Sequence, residues 1–140
     1  MTKKDTLLKV VADNEYMQFL GLEILILKED YGKGRMPYQK TLTNPYGMLH
    51  GGSLYSLADI VCGATACMHG RYVTTVTGSM NFVAPAVNTE YVYCEAKEVR
   101  CGEHLAVYDV LITAEDGKIL DNGSFTFFLT NHKVTEDERK

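Results

Sequence analysis

Asn44-Pro45-Tyr46-Gly47-Met48-Leu49-His50-Gly51-Gly52-Ser53-Leu54-Tyr55-Ser56-Leu57-Ala58-Asp59 is the stretch whose reading decides the fold. Asn-Pro and a glycine spell a turn, His50-Gly51-Gly52 a corner, and beyond it apolar residues recur at helical spacing. Leu54, Leu57, Ala58, Val61, Ala64, Thr65 and Met68 make one stripe; Tyr55, Asp59, Cys62 and Ala66 make a second that is mostly uncharged. A helix apolar over two faces is buried on both. This one therefore belongs at the centre of the molecule, closing at His69-Gly70, a cation followed by a permissive residue. Asp59 is then a carboxylate turned away from bulk water.

Working outward, residues 5–20 read as helical with a break at Asp13-Asn14. Residues 22–27 read as a strand, followed by a charged turn reaching Gly32, and a second strand is placed near residues 34–38. Past Gly70 the chain is strand-rich. The expected strands are residues 73–83, then 89–99, where Tyr91, Tyr93 and Glu95 alternate with Val92, Cys94 and Ala96, then 105–114 and 119–130. Glu115-Asp116-Gly117-Lys118 turns between the last two, and residues 131–140 read as a polar tail. The expected fold class is α+β: an N-terminal helix and one long central helix wrapped by a five- to six-stranded, mainly antiparallel sheet. Residues 1–140 are read as a single domain with its core at about 20–130. Unpaired sheet edges favour oligomers.

Composition narrows the function classes. The 140 residues are 46% hydrophobic and 23% charged, ordinary for a globular domain. A net charge of −4 argues against nucleic acid held over a broad basic face. Lys33, Arg35, Arg71, Lys97 and Arg100 still allow a phosphorylated small ligand. No apolar run approaches a bilayer span, and the first residues lack a signal-peptide core, so a cytoplasmic protein with no membrane partner is expected. Cys62, Cys67, Cys94 and Cys101 form no C-x-x-C pair and no zinc-finger spacing, so reduced thiols and no metal are expected.

The chemistry centres on the corner and the helix. A helix N-terminus presents unpaired N–H groups, and glycines let a ligand approach them. The Gly51 and Gly52 amides are placed to polarise a carbonyl oxygen. Asp59 follows Gly51 at a distance of roughly 12 Å along a helix rising about 1.5 Å per residue. The two can act on one carbonyl only if Asp59 meets the Gly51 of a second copy, as in a symmetric dimer with antiparallel central helices. His50 is read mainly as the residue that fixes the corner, and Asn44 as a hydrogen-bonding group near the site or as a turn residue. No serine lies in a G-x-S-x-G elbow and no cysteine is paired with a base, which disfavours a serine or cysteine nucleophile.

An ordered set of residues resembles the hotdog-fold acyl-CoA thioesterases, in the branch that groups the phenylacetate-pathway enzymes with thioesterase superfamily member 2. The matching residues are Asn44, Gly47, His50-Gly51-Gly52, Leu57-Ala58-Asp59, Asn81 through Ala86, Val99-Arg100-Cys101-Gly102, Asp116-Gly117-Lys118 and Gly123 through Phe127. The resemblance implies a dimer as the minimal unit, often a dimer of dimers, and hydrolysis of an acyl-CoA (aryl or short- to medium-chain) at the subunit interface. Coenzyme A enters as part of the substrate, and no other cofactor is implied. Carried over, the Gly51 N–H polarises the carbonyl and Asp59 of the partner subunit serves as general base or nucleophile. Asn44 orients water or the carboxylate, His50 holds the corner, and Thr75, with Thr77 as rival, helps place the water. Gly52, Tyr55, Phe82, Lys97 and Arg100 are the expected substrate contacts. Relatives often follow the Arg-x-Gly segment with a basic residue, whereas here Glu103 and His104 follow. An acyl-carrier-protein thioester therefore stays an alternative, as does a non-catalytic acyl-CoA- or lipid-binding module. A hotdog dehydratase needs a His and acid pair in a motif absent here.

Overall fold

The computed structural model describes residues 1–135. Its elements are helices α1 (Lys3–Asp13) and α2 (Glu15–Leu20), strands β1 (Glu23–Leu27) and β2 (Tyr31–Pro37), a 3-10 turn at Lys40–Leu42 and helix α3 (Gly51–Cys67). Strands β3 (Arg71–Phe82), β4 (Tyr91–Cys101), β5 (Leu105–Ala114) and β6 (Ile119–Lys133) complete them. The six strands form one sheet in the order β1-β2-β4-β5-β6-β3, with every neighbouring pair antiparallel.

Local chemistry sets the boundaries. Thr2 and Asp5 close a capping box at the start of α1. Asn14 ends α1, and its side chain accepts the Met17 N–H to start α2, which produces the break expected there. The long helix α3 lies on the concave face of the sheet. Leu57, Ala58, Val61, Cys62 and Ala66 have no exposed surface, and the alternation along β4 turns Val92, Cys94 and Ala96 toward them.

Two expectations are corrected. The second strand starts at Tyr31 rather than near residue 34, because the turn closes earlier, with Lys28 N–H donating to the Tyr31 carbonyl at 2.9 Å. Gly32 is a strand residue rather than a turn residue, and Gly34, expected to open the strand, lies within it. Their missing side chains admit the helix: a Cβ on Gly32 would lie 1.9 Å from Thr65 Oγ1, and one on Gly34 would lie 2.7 Å from Val61 Cγ2. The polar tail expected from residue 131 also begins later. β6 continues to Lys133, Val134 is buried, and its N–H donates to the Gly70 carbonyl at 2.8 Å. Strand pairing satisfies backbone groups whatever the side chains, so a polar sequence did not reveal it. Residues 136–140 of that expected tail lie outside the described residues. Val134 joins Leu7, Leu27 and Cys67 in a second, smaller cluster that binds α1 to the sheet.

β1 and β3 are the sheet edges. β3 is long, 12 residues, and is largely exposed around Val76 (56%). An open edge of this length, even with irregularities at Arg71–Val73 and Thr75–Thr77, offers backbone groups for pairing with another chain.

Gly32→Ala is expected to destabilise the fold by about 1–3 kcal/mol, because the added methyl must displace a β-branched side chain in a packed core. Urea denaturation should show a lower midpoint with an unchanged slope; an unchanged midpoint would mean that helix and strand do not depend on this contact.

Candidate active site

The corner before α3 is built by hydrogen bonds that divide the helix's first amides among specific acceptors. His50 is the N-cap, with extended backbone (φ −65°, ψ 140°). Its Nδ1 accepts the Gly52 N–H at 2.8 Å, and its carbonyl accepts the Ser53 and Leu54 N–H groups at 2.9 and 3.1 Å. Among the described residues this leaves the Gly51 N–H without an acceptor. Of the two glycine amides expected to polarise a carbonyl, His50 occupies one and leaves the other free at the positive end of the helix. An added Cβ on Gly51 would touch the Phe82 ring at 3.5 Å, so the amide sits beside that ring.

Asn44 fixes the approach loop. Its Oδ1 accepts the Tyr46 and Met48 N–H groups at 2.9 and 3.1 Å, an Asx turn that consumes the oxygen. Any contact with a ligand must then come from its NH2 group. Asn44, Gly51, Leu54 and Phe82 open on a common cavity of about 440 Å³, whose other walls are Met48, Leu49 and the Val83–Ala86 turn.

One residue of that cavity escaped the sequence reading. Asp121 on β6 lies in its wall, has no exposed surface, and neither carboxylate oxygen has a hydrogen-bond partner. Burial pushes its carboxyl up to about 7. A signal was present: Phe125 and Phe127 are core-facing, so period-two counting back along β6 places residue 121 on the same inward face.

Asp59 lies elsewhere. It is half-buried on α3, and its Oδ1 accepts a hydrogen bond from Thr75 Oγ1 at 2.6 Å. Both line a second cavity, of about 190 Å³, between α1, α3 and β3, with Val11, Ile60 and Phe127 among its walls. The two cavities share no residue. Thr75 and Asp59 are thus brought together, as are Asn44, Gly51 and Phe82, while one chain keeps the two groups apart.

Four of the five expected contacts line neither cavity: Gly52, whose N–H is held by His50, and Tyr55, Lys97 and Arg100. Tyr55 packs on Phe125, ring centroids 5.1 Å apart, directly under Gly78. Lys97 lies on the opposite face of the sheet beside Glu95 and Asp109. Arg100 is exposed at the β4 bulge. Among the described residues one group of metal-ligand type clusters, His69, Glu98 and Cys101, whose donor atoms lie within 4.8 Å of one another. His69 Nε2 is already 2.5 Å from Glu98 Oε1, and burial raises the Cys101 thiol, so the trio ties the end of α3 to β4. It adjoins neither cavity.

Residues 46–120 match the model of the thioesterase superfamily. A protein of Archaeoglobus fulgidus named "Putative esterase" is 28% identical over 134 residues, covering 92% of this chain and 87% of its own length. The PaaI protein of the E. coli phenylacetic acid degradation operon superposes with a TM-score of 0.86 at 18% identity, over 94% of this chain and 99% of that one. A hypothetical thioesterase of Streptococcus pneumoniae, solved with coenzyme A, gives a TM-score of 0.82 at 24% identity, over 90% and 98%.

His50→Ala is expected to cost about 1 kcal/mol through loss of the N-cap, and His50→Asn to recover most of it, read as melting temperatures; equal losses in both would refute the capping role. Asp121 gives a pH signature. Its carboxyl near 7 when folded, against about 3.9 when unfolded, binds more protons in the native state between those values. That stability is present at pH 4 and is lost as the pH rises through 7. The advantage of Asp121→Asn over wild type should therefore grow from pH 4 to pH 8 in urea midpoints; a constant difference would contradict the burial of the acid.

Proposed function

This chain belongs to the thioesterase superfamily, and on that premise we propose that it hydrolyses acyl-CoA thioesters at a site shared by two copies. The observation that carries the reading is the separation of the free Gly51 amide from the Asp59–Thr75 pair into two cavities of one chain. Each cavity holds half of what acyl transfer to water needs. The exposed β3 edge, which carries Thr75, supports a symmetric pairing that would join them.

In the joined site the thioester carbonyl accepts the Gly51 N–H. Asp59 of the partner subunit, with one oxygen already held by Thr75, takes a proton from water through the other. The hydroxide formed adds to the carbonyl carbon, and the Gly51 amide and helix dipole hold the negative charge that develops on oxygen. Collapse breaks the carbon–sulfur bond, and the thiolate leaves with the proton that Asp59 took up. The free acid and CoA are the products. CoA as carrier is supported by the fold shared with the streptococcal thioesterase solved with coenzyme A. Lys97 and Arg100 remain the candidates for its phosphates, reached across the assembled interface.

Gly51→Pro tests the amide without disturbing the helix. Proline is favoured at the first helical position, and the extended His50 backbone is the conformation that a following proline requires. Thiol release from a panel of short, medium, long and aryl acyl-CoAs should show wild-type turnover. Gly51→Pro and Asp59→Ala should each lose at least about 100-fold in kcat, with unchanged circular dichroism. Full activity in either variant would remove that residue from the chemistry. No turnover by wild type would favour a binding module.

A further inference from the structure

The buried acid of the Gly51 cavity has no place in the hydrolysis just described. Asp121 is flanked in the sheet by Phe82 on β3 and Ile112 on β5. Leu54, at the start of α3, lines the same cavity. Among the described residues no cation lines the cavity, and neither oxygen of Asp121 has a hydrogen-bond partner. A buried polar group left unpaired is destabilising, and a strand at this point needs no acid: Phe125 and Phe127 hold equivalent inward positions with apolar side chains. A ligand in the cavity can supply the partner that the fold withholds.

We infer that Asp121 determines specificity by hydrogen bonding a hydroxyl or amino group on the acyl part of the thioester. This rests on the thioesterase reading, which fixes how the substrate lies. With its carbonyl at the Gly51 amide, the substrate has one end in the cavity and the other outside. A cavity of about 440 Å³ does not take a carrier the size of coenzyme A, so the carrier leaves by the mouth. The end that reaches the buried wall is the acyl group. Leu49, Leu54, Phe82 and Pro85 make much of the lining apolar; Asn44, whose oxygen holds the Asx turn, offers a ligand only its NH2 donor, so Asp121 is the acceptor that a donor substituent meets. A plain alkyl chain seals the carboxyl away from any partner, whereas a hydroxyl or ammonium pairs with it. Sites built this way discriminate by leaving the wrong ligand with an unpaired polar group.

The test compares hexanoyl-CoA with hexanoyl-CoAs bearing a hydroxyl or amino group at successive carbons, on wild type and on Asp121→Val and Asp121→Asn. Valine suits a buried strand position and removes the acceptor; asparagine keeps one. Wild type is expected to favour the best substituted substrate by about 10-fold or more in kcat/KM. Asp121→Val should reverse that preference, with Asp121→Asn between the two. The ratio between substrates is the decisive readout, because general structural damage lowers all substrates together. A ratio near one in wild type, or the same ratio in wild type and Asp121→Val, overturns the inference while leaving thioester hydrolysis intact. If wild type releases no thiol from any substrate, the thioesterase reading fails and the same pairs are compared by calorimetric binding. Tighter binding of a substituted ligand by wild type, lost in Asp121→Val, then upholds the role of Asp121, and equal binding rejects it.

Discussion

The constraint on which the site depends is the length of a helix. At about 1.5 Å of rise per residue, the turns of α3 between Gly51 and Asp59 hold amide and carboxylate roughly 12 Å apart. No side-chain rearrangement closes that gap, because Leu54, Leu57, Ala58 and Val61 lock the helix into the core of the sheet. In the proposed reaction each cavity supplies half of the centre. An element rigid enough to position an amide well is also too rigid to bring its own acid to it, and that is why the proposed reaction calls for a second copy. The open β3 edge, which carries Thr75, lies where such a copy can be received.

The same helix shows how polar groups are handled in this core. Ser53 is buried and donates to the Leu42 and His50 carbonyls; Thr65 is buried and donates to the Val61 carbonyl. Both satisfy themselves within the fold. His50 spends its ring nitrogen on one helix amide and so determines which amide stays free. Among the described residues Asp121 stands apart, buried without a partner on the wall of the Gly51 cavity. Ser53 and Thr65, the other buried polar side chains described, are accounted for by the fold, and the exception is what directs the inference toward a ligand.

Much of this was legible in the chain. The stripes of α3, the break at Asn14 and the alternation along β4 follow from spacing and capping chemistry, and all three appear in the structure. Thr75, expected from the resemblance to help place a water, is found donating to Asp59, a contact the sequence did not foretell. What the sequence hid were facts that depend on another element. Gly32 looks like a turn residue until the helix that needs its empty space is seen. Residues 131–133 look like a tail until β3 pairs with them. Asn44, by contrast, reads either as a ligand contact or as a turn residue, and its oxygen holds the local Asx turn. Asp121 was missed because a single acid in a strand is usually solvated, although the alternation of β6 already put it on the inward face with Phe125 and Phe127.

The claim that the site is shared between copies is tested most directly by mixing two inactive variants. Gly51→Pro and Asp59→Ala, unfolded and refolded together in equal amounts, form mixed dimers in which one of two sites holds both intact groups. Random pairing then predicts recovery of about one quarter of wild-type thiol release, from two parents that have almost none. A mixture no more active than its parents would contradict a shared site and return amide and carboxylate to separate roles.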